Sequence, residues 1–113
     1  MTNASSPESD AIRSLNDAFR RTFTGGVVLL TAGVEALPHD VRRSLLKRVR
    51  EFDAFTPDND PHGEHDFGAI DEDGVRFFWK IDTYDRDMSA HSPDPTDREV
   101  TTRVLTIMLA EEY

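Results

Sequence analysis

The sequence predicts an α+β domain, and three patterns in its 113 residues support that class. Two stretches repeat apolar residues every three or four positions, which is typical of helices that pack on a core. A third stretch alternates apolar and polar residues beyond an Asp-Gly pair, which indicates a β-hairpin. The predicted order is α-β-α-β-β-α, so we expect a small, mostly antiparallel sheet with helices packed on one face.

The first predicted element is a helix that begins after Ser6. Serine at the N-cap followed by Pro7 at the first helical position is a common helix start. Residues 1–6 are small and polar, so we expect them to be disordered and residues 7–113 to form a single globular domain. One apolar stripe along this helix should face the core: Ile12, Leu15, Phe19 and Phe23.

An apolar run, Val27 to Thr31, follows a pair of glycines and predicts a strand. Because the run is apolar at every position until Thr31, we expect the strand to be covered on both faces or to lie centrally in the sheet. A second helix is predicted from Pro38 to Phe55. Its outer face is basic, and internal pairing with acidic groups or plain solvation is the expected role of these cations: Arg42, Arg43, Lys47, Arg48 and Arg50.

The hairpin is predicted from Glu64–Ile70 and Val75–Tyr84, which should pair antiparallel through the turn at residues 71–74. An Asp-Gly pair supplies the positive dihedral angles that tight hairpin turns need. On the second strand, Phe77 and Trp79 share one side with Val75 and Ile81. The opposite side alternates charged and aromatic groups, which is typical of a half-exposed sheet surface.

The last predicted element is a helix from Asp97 to Glu111. Thr96 and Glu99 have the spacing of a capping box just before an apolar run. This helix should bury Val100, Val104, Ile107 and Met108. We expect the core of the whole domain to contain Phe23, Leu29, Leu45, Val49, Phe77, Trp79, Ile81, Val104 and Ile107.

Charge is distributed unevenly along the chain, whose formal net charge is −9. Residues 1–50 carry eight basic and five acidic side chains, whereas residues 51–113 carry five basic and seventeen acidic ones. Such an acidic half disfavours direct nucleic-acid binding and favours a protein partner with a basic surface. The chain has no cysteine and no apolar run long enough for a membrane span, so we expect a cytoplasmic protein with no membrane partner.

Chemically versatile side chains concentrate in the loop before the hairpin: Asp58, Asp60, His62, Glu64, His65 and Asp66. A divalent metal is one option, with His62, His65 and Asp66 as ligands. The two histidines are three residues apart, however, and match no known zinc spacing. A calcium loop counted from Asp58 fails, because Ala69 stands where a bidentate glutamate is required.

Acid/base catalysis is another option for this loop, because a histidine beside a carboxylate can move protons near neutral pH. The catalytic candidates are His62, Glu64, His65, Asp66, Asp82 and His91. A structural role is the alternative that we favour: Asp58 and Asn59 would build a turn, and the histidines and aspartates would satisfy backbone groups at the entry to the strand.

The chain also resembles a family of small bacterial proteins known as domain of unknown function 3768. The resemblance rests on long segments: IRSLNDAFRRTFTGG, VLLTAGV, FDAFTPDNDPHGEHDFGAI, RFFWKIDTYDRDM and SPDPTDREVTTRVLTIMLAEEY. Members are similar in size to this chain, which implies a free-standing domain. The resemblance transfers no catalytic or ligand residue.

We therefore expect a non-enzymatic interaction or regulatory module that engages a basic partner and uses no cofactor. A mobile-element inhibitor of nucleic-acid-handling proteins, acting by charge mimicry, is one specific form. Its surface should combine carboxylates with aromatic anchors: Asp58, Asp60, Glu64, Asp66, Phe78, Asp82, Tyr84 and Asp85. The alternative is a small metal-dependent or acid/base enzyme that uses residues 62–66.

Overall fold

The computed structural model describes residues 6–113 and confirms the α+β class. Two 3₁₀ turns, Arg98–Val100 and Ala110–Glu112, flank the last strand. The helices and strands follow in the order α1 (Pro7–Thr22), β1 (Val27–Leu30), α2 (Ala32–Glu35), α3 (His39–Arg50), β2 (Phe67–Glu72), β3 (Val75–Tyr84) and β4 (Thr102–Leu109).

The start of α1 is as predicted, because the Ser6 hydroxyl accepts a hydrogen bond from the Ser9 N–H at 3.0 Å and Pro7 is the first helical residue. Residues 1–5 of the predicted disordered segment lie outside the described residues. Within residues 6–113, none of the helices combines the length and the hydropathy that crossing a bilayer requires.

The four strands form one sheet in the order β1-β4-β3-β2. The predicted hairpin is confirmed: β2 and β3 pair antiparallel, and Asp73 and Gly74 in the turn have φ angles of 54° and 77°. β2 begins at Phe67, three residues later than predicted. β3 and β4 are also antiparallel, whereas β1 runs parallel to β4.

The predicted C-terminal helix is wrong, because Thr102–Leu109 is the strand β4 between β1 and β3. Val104, Ile107 and Met108 are buried as expected, but from opposite faces of the strand. A central strand buried on both faces has no strict alternation, so its apolar positions imitate helical spacing. The many β-branched residues of this segment favour a strand.

The helices pack on one face of the sheet, as the sequence predicted. Side chains from alternate positions of the strands meet α1, α2 and α3 there. The buried members of this core are Phe19, Val34, Leu45, Val49, Ile70, Phe77, Trp79, Ile81, Leu105 and Ile107.

Strand β1 departs from the prediction that it would be covered or central, because it is an edge strand. Leu29 was expected in the core, but it is 47% exposed on the face that carries no helix. Phe23, also expected in the core, is only partly buried. The other seven expected core residues are buried. The predicted pairing of the basic helix with the acidic half is confirmed at Arg48, whose guanidinium lies 2.7 Å from a carboxylate oxygen of Glu72.

A buried arginine joins α1 to the end of α3. Arg20 is fully buried, and its Nη1 donates to the carbonyls of Val49 and Phe52 at 2.9 Å each. These carbonyls lie where α3 ends, and that of Val49 also accepts a longer hydrogen bond from the Phe52 N–H at 3.3 Å. Nη2 donates to Asp17 at 2.9 Å, and the guanidinium lies 5.0 Å from the ring centroid of Trp79.

We predict that Arg20→Ala lowers the free energy of unfolding by about 3–5 kcal/mol, because it removes one member of a buried ion pair and leaves carbonyls without a donor. Denaturant unfolding followed by circular dichroism measures this loss. The matched control is Arg21→Ala, whose side chain is 62% exposed. That substitution should change stability by less than about 0.5 kcal/mol. Equal effects of the two substitutions would contradict the role of Arg20.

Candidate functional site

His65 is held against α1 by a carboxylate. Its Nδ1 lies 2.9 Å from Oδ1 and 3.1 Å from Oδ2 of Asp17, which are hydrogen-bond distances. Its Nε2 lies 3.6 Å from Oδ2 of Asp60. The imidazole therefore lies between two carboxylates, and 21% of the His65 side chain remains exposed.

The ring and the backbone of His65 also make specific contacts. The ring stacks on Phe55 with a centroid separation of 3.6 Å and an angle of 4° between the planes. The His65 N–H donates to Oδ1 of Asp60 at 3.2 Å, and Asp60 is only 7% exposed. His65 has a φ of 52°, a left-handed conformation that is uncommon for residues other than glycine.

Two further α1 side chains hold the loop that contains His65. Arg13 donates to the carbonyl of Gly63 at 3.0 Å, and the buried Asn16 donates to the carbonyl of Glu64 at 2.9 Å. Asp17 meanwhile accepts from Arg20, which connects His65 to the buried arginine. The loop is thus attached to α1 by three side chains that lie within about one helical turn: Arg13, Asn16 and Asp17.

The other members of the predicted cluster do not converge on His65. His62 is exposed, and Glu64 and Asp66 are partly buried. Burial raises the pKa of Glu64, and the nearby Asp66 raises it further. Burial also raises the pKa of Asp66, with contributions from Asp60 and Asp82. Among residues 6–113, no group of three or more potential ligands is placed to hold a metal ion.

The remaining catalytic candidates, Asp82 and His91, lie elsewhere, as does Asp85, which was predicted as an interaction residue. Asp82 is on β3, where its carboxylate lies 3.0 Å from the ammonium of Lys80. His91 forms an isolated bridge with Tyr84, and the two rings are parallel at 6.5 Å. Asp85 accepts hydrogen bonds from the backbone and hydroxyl of Ser89, which lower its pKa. These three residues therefore serve the sheet and the following turn rather than the His65 loop.

Asp17, Asn16 and Phe55 were missed as neighbours of His65. The signal in the sequence was that Asn16 and Arg20 fall on the inward face of α1, between apolar residues. A polar side chain at such a position needs a buried partner. The partner could not be named, because Asp17 and His65 are 48 residues apart in the sequence.

A second candidate surface is the sheet face without helices. Phe67, Phe78 and Tyr113 cluster there, with the rings of Phe78 and Tyr113 edge-to-face at 5.6 Å. Val27 and Leu29 on β1 are 37% and 47% exposed on the same face. Phe78, Asp82 and Tyr84, which were predicted as interaction residues, lie on the same face of β3 because even steps separate them in the sequence. We call this surface the open face.

The model of a family described as "Protein of unknown function (DUF3768)" matches residues 30–112. The chain belongs to this DUF3768 family. The match begins at the last residue of β1 and extends through β4, including the His65 loop, and it confirms the resemblance noted in the sequence. No curated protein and no solved structure matches the chain.

We predict that His65→Ala lowers the free energy of unfolding by about 1–3 kcal/mol, because it removes the bond to Asp17 and the stacking on Phe55. The matched control is His62→Ala, an exposed histidine three residues earlier. The free energy of unfolding of this control should lie within about 0.5 kcal/mol of that of the unmodified protein. Thermal and denaturant unfolding test both. If His65→Ala were as stable as the unmodified protein, a catalytic role of His65 would gain support.

Because the pKa of Asp66 is raised, we predict that Asp66→Asn stabilises the folded protein and that the size of this effect depends on pH. Because the folded chain holds the proton more tightly than the unfolded chain, the ionised carboxylate favours unfolding. This penalty grows as the pH rises from the ordinary value of 3.8 through the raised pKa. Asp66→Asn should therefore raise the melting temperature at neutral pH and lose this advantage in acid. Asp85→Asn should have the opposite effect at neutral pH, because hydrogen bonds lower the pKa of Asp85.

Proposed function

We propose that the protein is a non-enzymatic protein-interaction module whose partner docks on the open face and has a basic surface. The observation that carries this proposal is the asymmetry of the sheet. Helices cover one face, whereas the other face presents apolar and aromatic side chains to solvent. A contiguous apolar surface with polar surroundings is a common feature of protein-binding sites.

Aromatic side chains supply anchors on the open face. Tyr113 is 75% exposed. The centroid of its ring lies 5.6 Å from that of Phe78 and 6.3 Å from that of Phe67. Tyrosine and other large rings dominate the energy of many interfaces, because they bury a large area with little loss of conformational entropy. Leu29 adds an exposed aliphatic side chain to the same face at the β1 edge of the sheet.

The charges around the open face favour a basic partner. Its own cations already have acidic neighbours, with Lys80 3.0 Å from Asp82 and Arg76 2.9 Å from Asp71. Strands β2, β3 and β4 all belong to residues 51–113, where acidic side chains outnumber basic ones by seventeen to five. The charges on the open face of these strands balance as two pairs, so the preference for lysine and arginine on a partner rests on the acidic excess of residues 51–113 as a whole. A mobile-element inhibitor that mimics nucleic-acid charge is one form of such a module.

Leu29→Lys tests the open face, because a lysine there both removes apolar contact and repels a basic partner. We expect at least a tenfold loss of capture of the partner from a native lysate by the immobilised protein, which corresponds to about 1.4 kcal/mol. Capture should also weaken at high salt.

The matched control is Met88→Lys, because Met88 is 46% exposed and lies in the turn after β3 rather than on the open face. The control should capture the same protein as the unmodified chain. Equal losses in both variants, or no salt-sensitive partner that distinguishes them, would contradict the proposal. A dimer in sedimentation experiments that Leu29→Lys dissociates would instead identify a second copy as the occupant.

The bond between His65 and Asp17 favours a second candidate, an acid/base enzyme. A carboxylate 2.9 Å from Nδ1 can orient an imidazole and stabilise its charged form, as in many catalytic dyads. His65 would then be the base, with Glu64 or Asp66 of the cluster formed by residues 62–66 near the substrate. The stability of His65→Ala separates this candidate from a structural role.

A further inference from the structure

An open cleft of about 1080 Å³ lies between the C-terminal half of α1 and the loop at residues 86–101. The cleft is on the helix-covered side of the sheet, away from the open face. Its lining includes three guanidinium groups, those of Arg86, Arg98 and Arg103, together with four threonine side chains.

Arg103 in this lining is buried without a carboxylate partner among the described residues. Only 4% of the residue is exposed. Its Nε donates to Oδ1 of Asn16 at 2.8 Å, and its Nη2 donates to the carbonyl of Pro95 at 2.6 Å. Both acceptors are neutral. A guanidinium carries five N–H groups, so these bonds engage only part of its capacity.

The surroundings leave the charge of Arg103 uncompensated. Burial lowers the pKa of Arg103, and the positive charge of Arg98 lowers it further. Burying a cation costs free energy unless an anion or several hydrogen bonds compensate it. Arg103 therefore carries a cost that the described part of the chain offsets only with two neutral oxygens.

The other fully buried arginine shows the contrast. Arg20 has Asp17 at 2.9 Å, two well-placed carbonyls at the end of α3, and aromatic rings beside it. Its charge is compensated within the fold, and a structural role explains it. Arg103 has no such carboxylate but lines a cleft that solvent can enter.

We propose that this cleft binds a small molecule through an oxyanion group, phosphate or carboxylate, with Arg103 and Arg98 as its positive contacts. Arginine matches the geometry of both groups and bonds to them through two N–H groups at once. Two carboxylates, those of Asp97 and Glu99, also line the cleft, but the three guanidinium groups outnumber them.

Titration of the full chain with sodium phosphate and with sodium acetate, each against sodium chloride at the same ionic strength, tests the proposal. The readout is the ¹H–¹⁵N signal of Arg103 Nε together with the backbone amide of Thr96. We expect a saturable shift of both signals with phosphate, acetate or both, and none with chloride. Phosphate and acetate responses distinguish the two oxyanion groups.

Arg98→Gln removes one positive contact at an exposed position where folding is retained, and it should weaken oxyanion binding at least tenfold. Arg103→Gln should abolish binding, followed through Thr96. The matched control Arg43→Gln removes the same charge from an exposed position on α3 and should leave binding unchanged. Leu29→Lys should also leave it unchanged, because the open face is separate.

The proposal is overturned if chloride produces the same shifts as phosphate and acetate. It is also overturned if Arg98→Gln and Arg43→Gln weaken binding equally, since that result would reflect the overall charge of the protein rather than the cleft.

Discussion

The structure depends on the hydrogen bonds of Arg20 more than on any other polar contact. A helix leaves its last carbonyls without partners in the helix, and the end of α3 is partly buried against α1. Arg20 supplies the donors from α1 and brings its own counterion, Asp17. This single side chain therefore sets the distance between α1 and α3 and shields Trp79, which is fully buried beneath it.

The same carboxylate extends this arrangement to the surface. Asp17 accepts from Arg20 on one side and faces His65 on the other, so the loop before β2 is positioned by the same group that neutralises the buried arginine. Asn16 adds a parallel connection, because its amide donates to the backbone of Glu64 and accepts from Arg103. Polar groups on the inward face of α1 thus connect the His65 loop, the core and the cleft at Arg103.

The two faces of the sheet differ in how much they contribute to the stability of the fold. The helix-covered side contains the core and both buried arginines, so its side chains determine stability. The open face buries Val104 and Met108 of the central strand β4, but it leaves Leu29 and Tyr113 exposed. Its aromatic cluster and exposed aliphatic residues remain available for a partner. Membership of the DUF3768 family names no ligand, so the function must be argued from these surfaces.

Local patterns determined much of the fold. The N-cap at Ser6, the apolar stripe of α1 and the Asp-Gly turn of the hairpin each act within a few residues, and all three are present in the structure. The last segment could not be assigned in this way, because a strand buried on both faces repeats apolar residues at spacings that also fit a helix. The segment is a strand because it pairs with β1 and β3, and such pairing is a long-range interaction that local spacing does not reveal.

The candidate site, like the fold, was predicted only in part from the sequence. The sequence identified the loop at residues 58–66 by its concentration of histidines and carboxylates, and it favoured a structural role at the entry to the strand. It could not identify Asp17, Phe55 or Asn16 as the neighbours, because these contacts join distant segments that meet only when α1 packs on the sheet. It also could not show that Leu29 would be exposed, because an apolar strand has the same composition at an edge as at the centre. Composition and local spacing therefore determined the type of each predicted element except the last, whereas tertiary packing decided that β4 is a strand, which side chains meet and which face remains open.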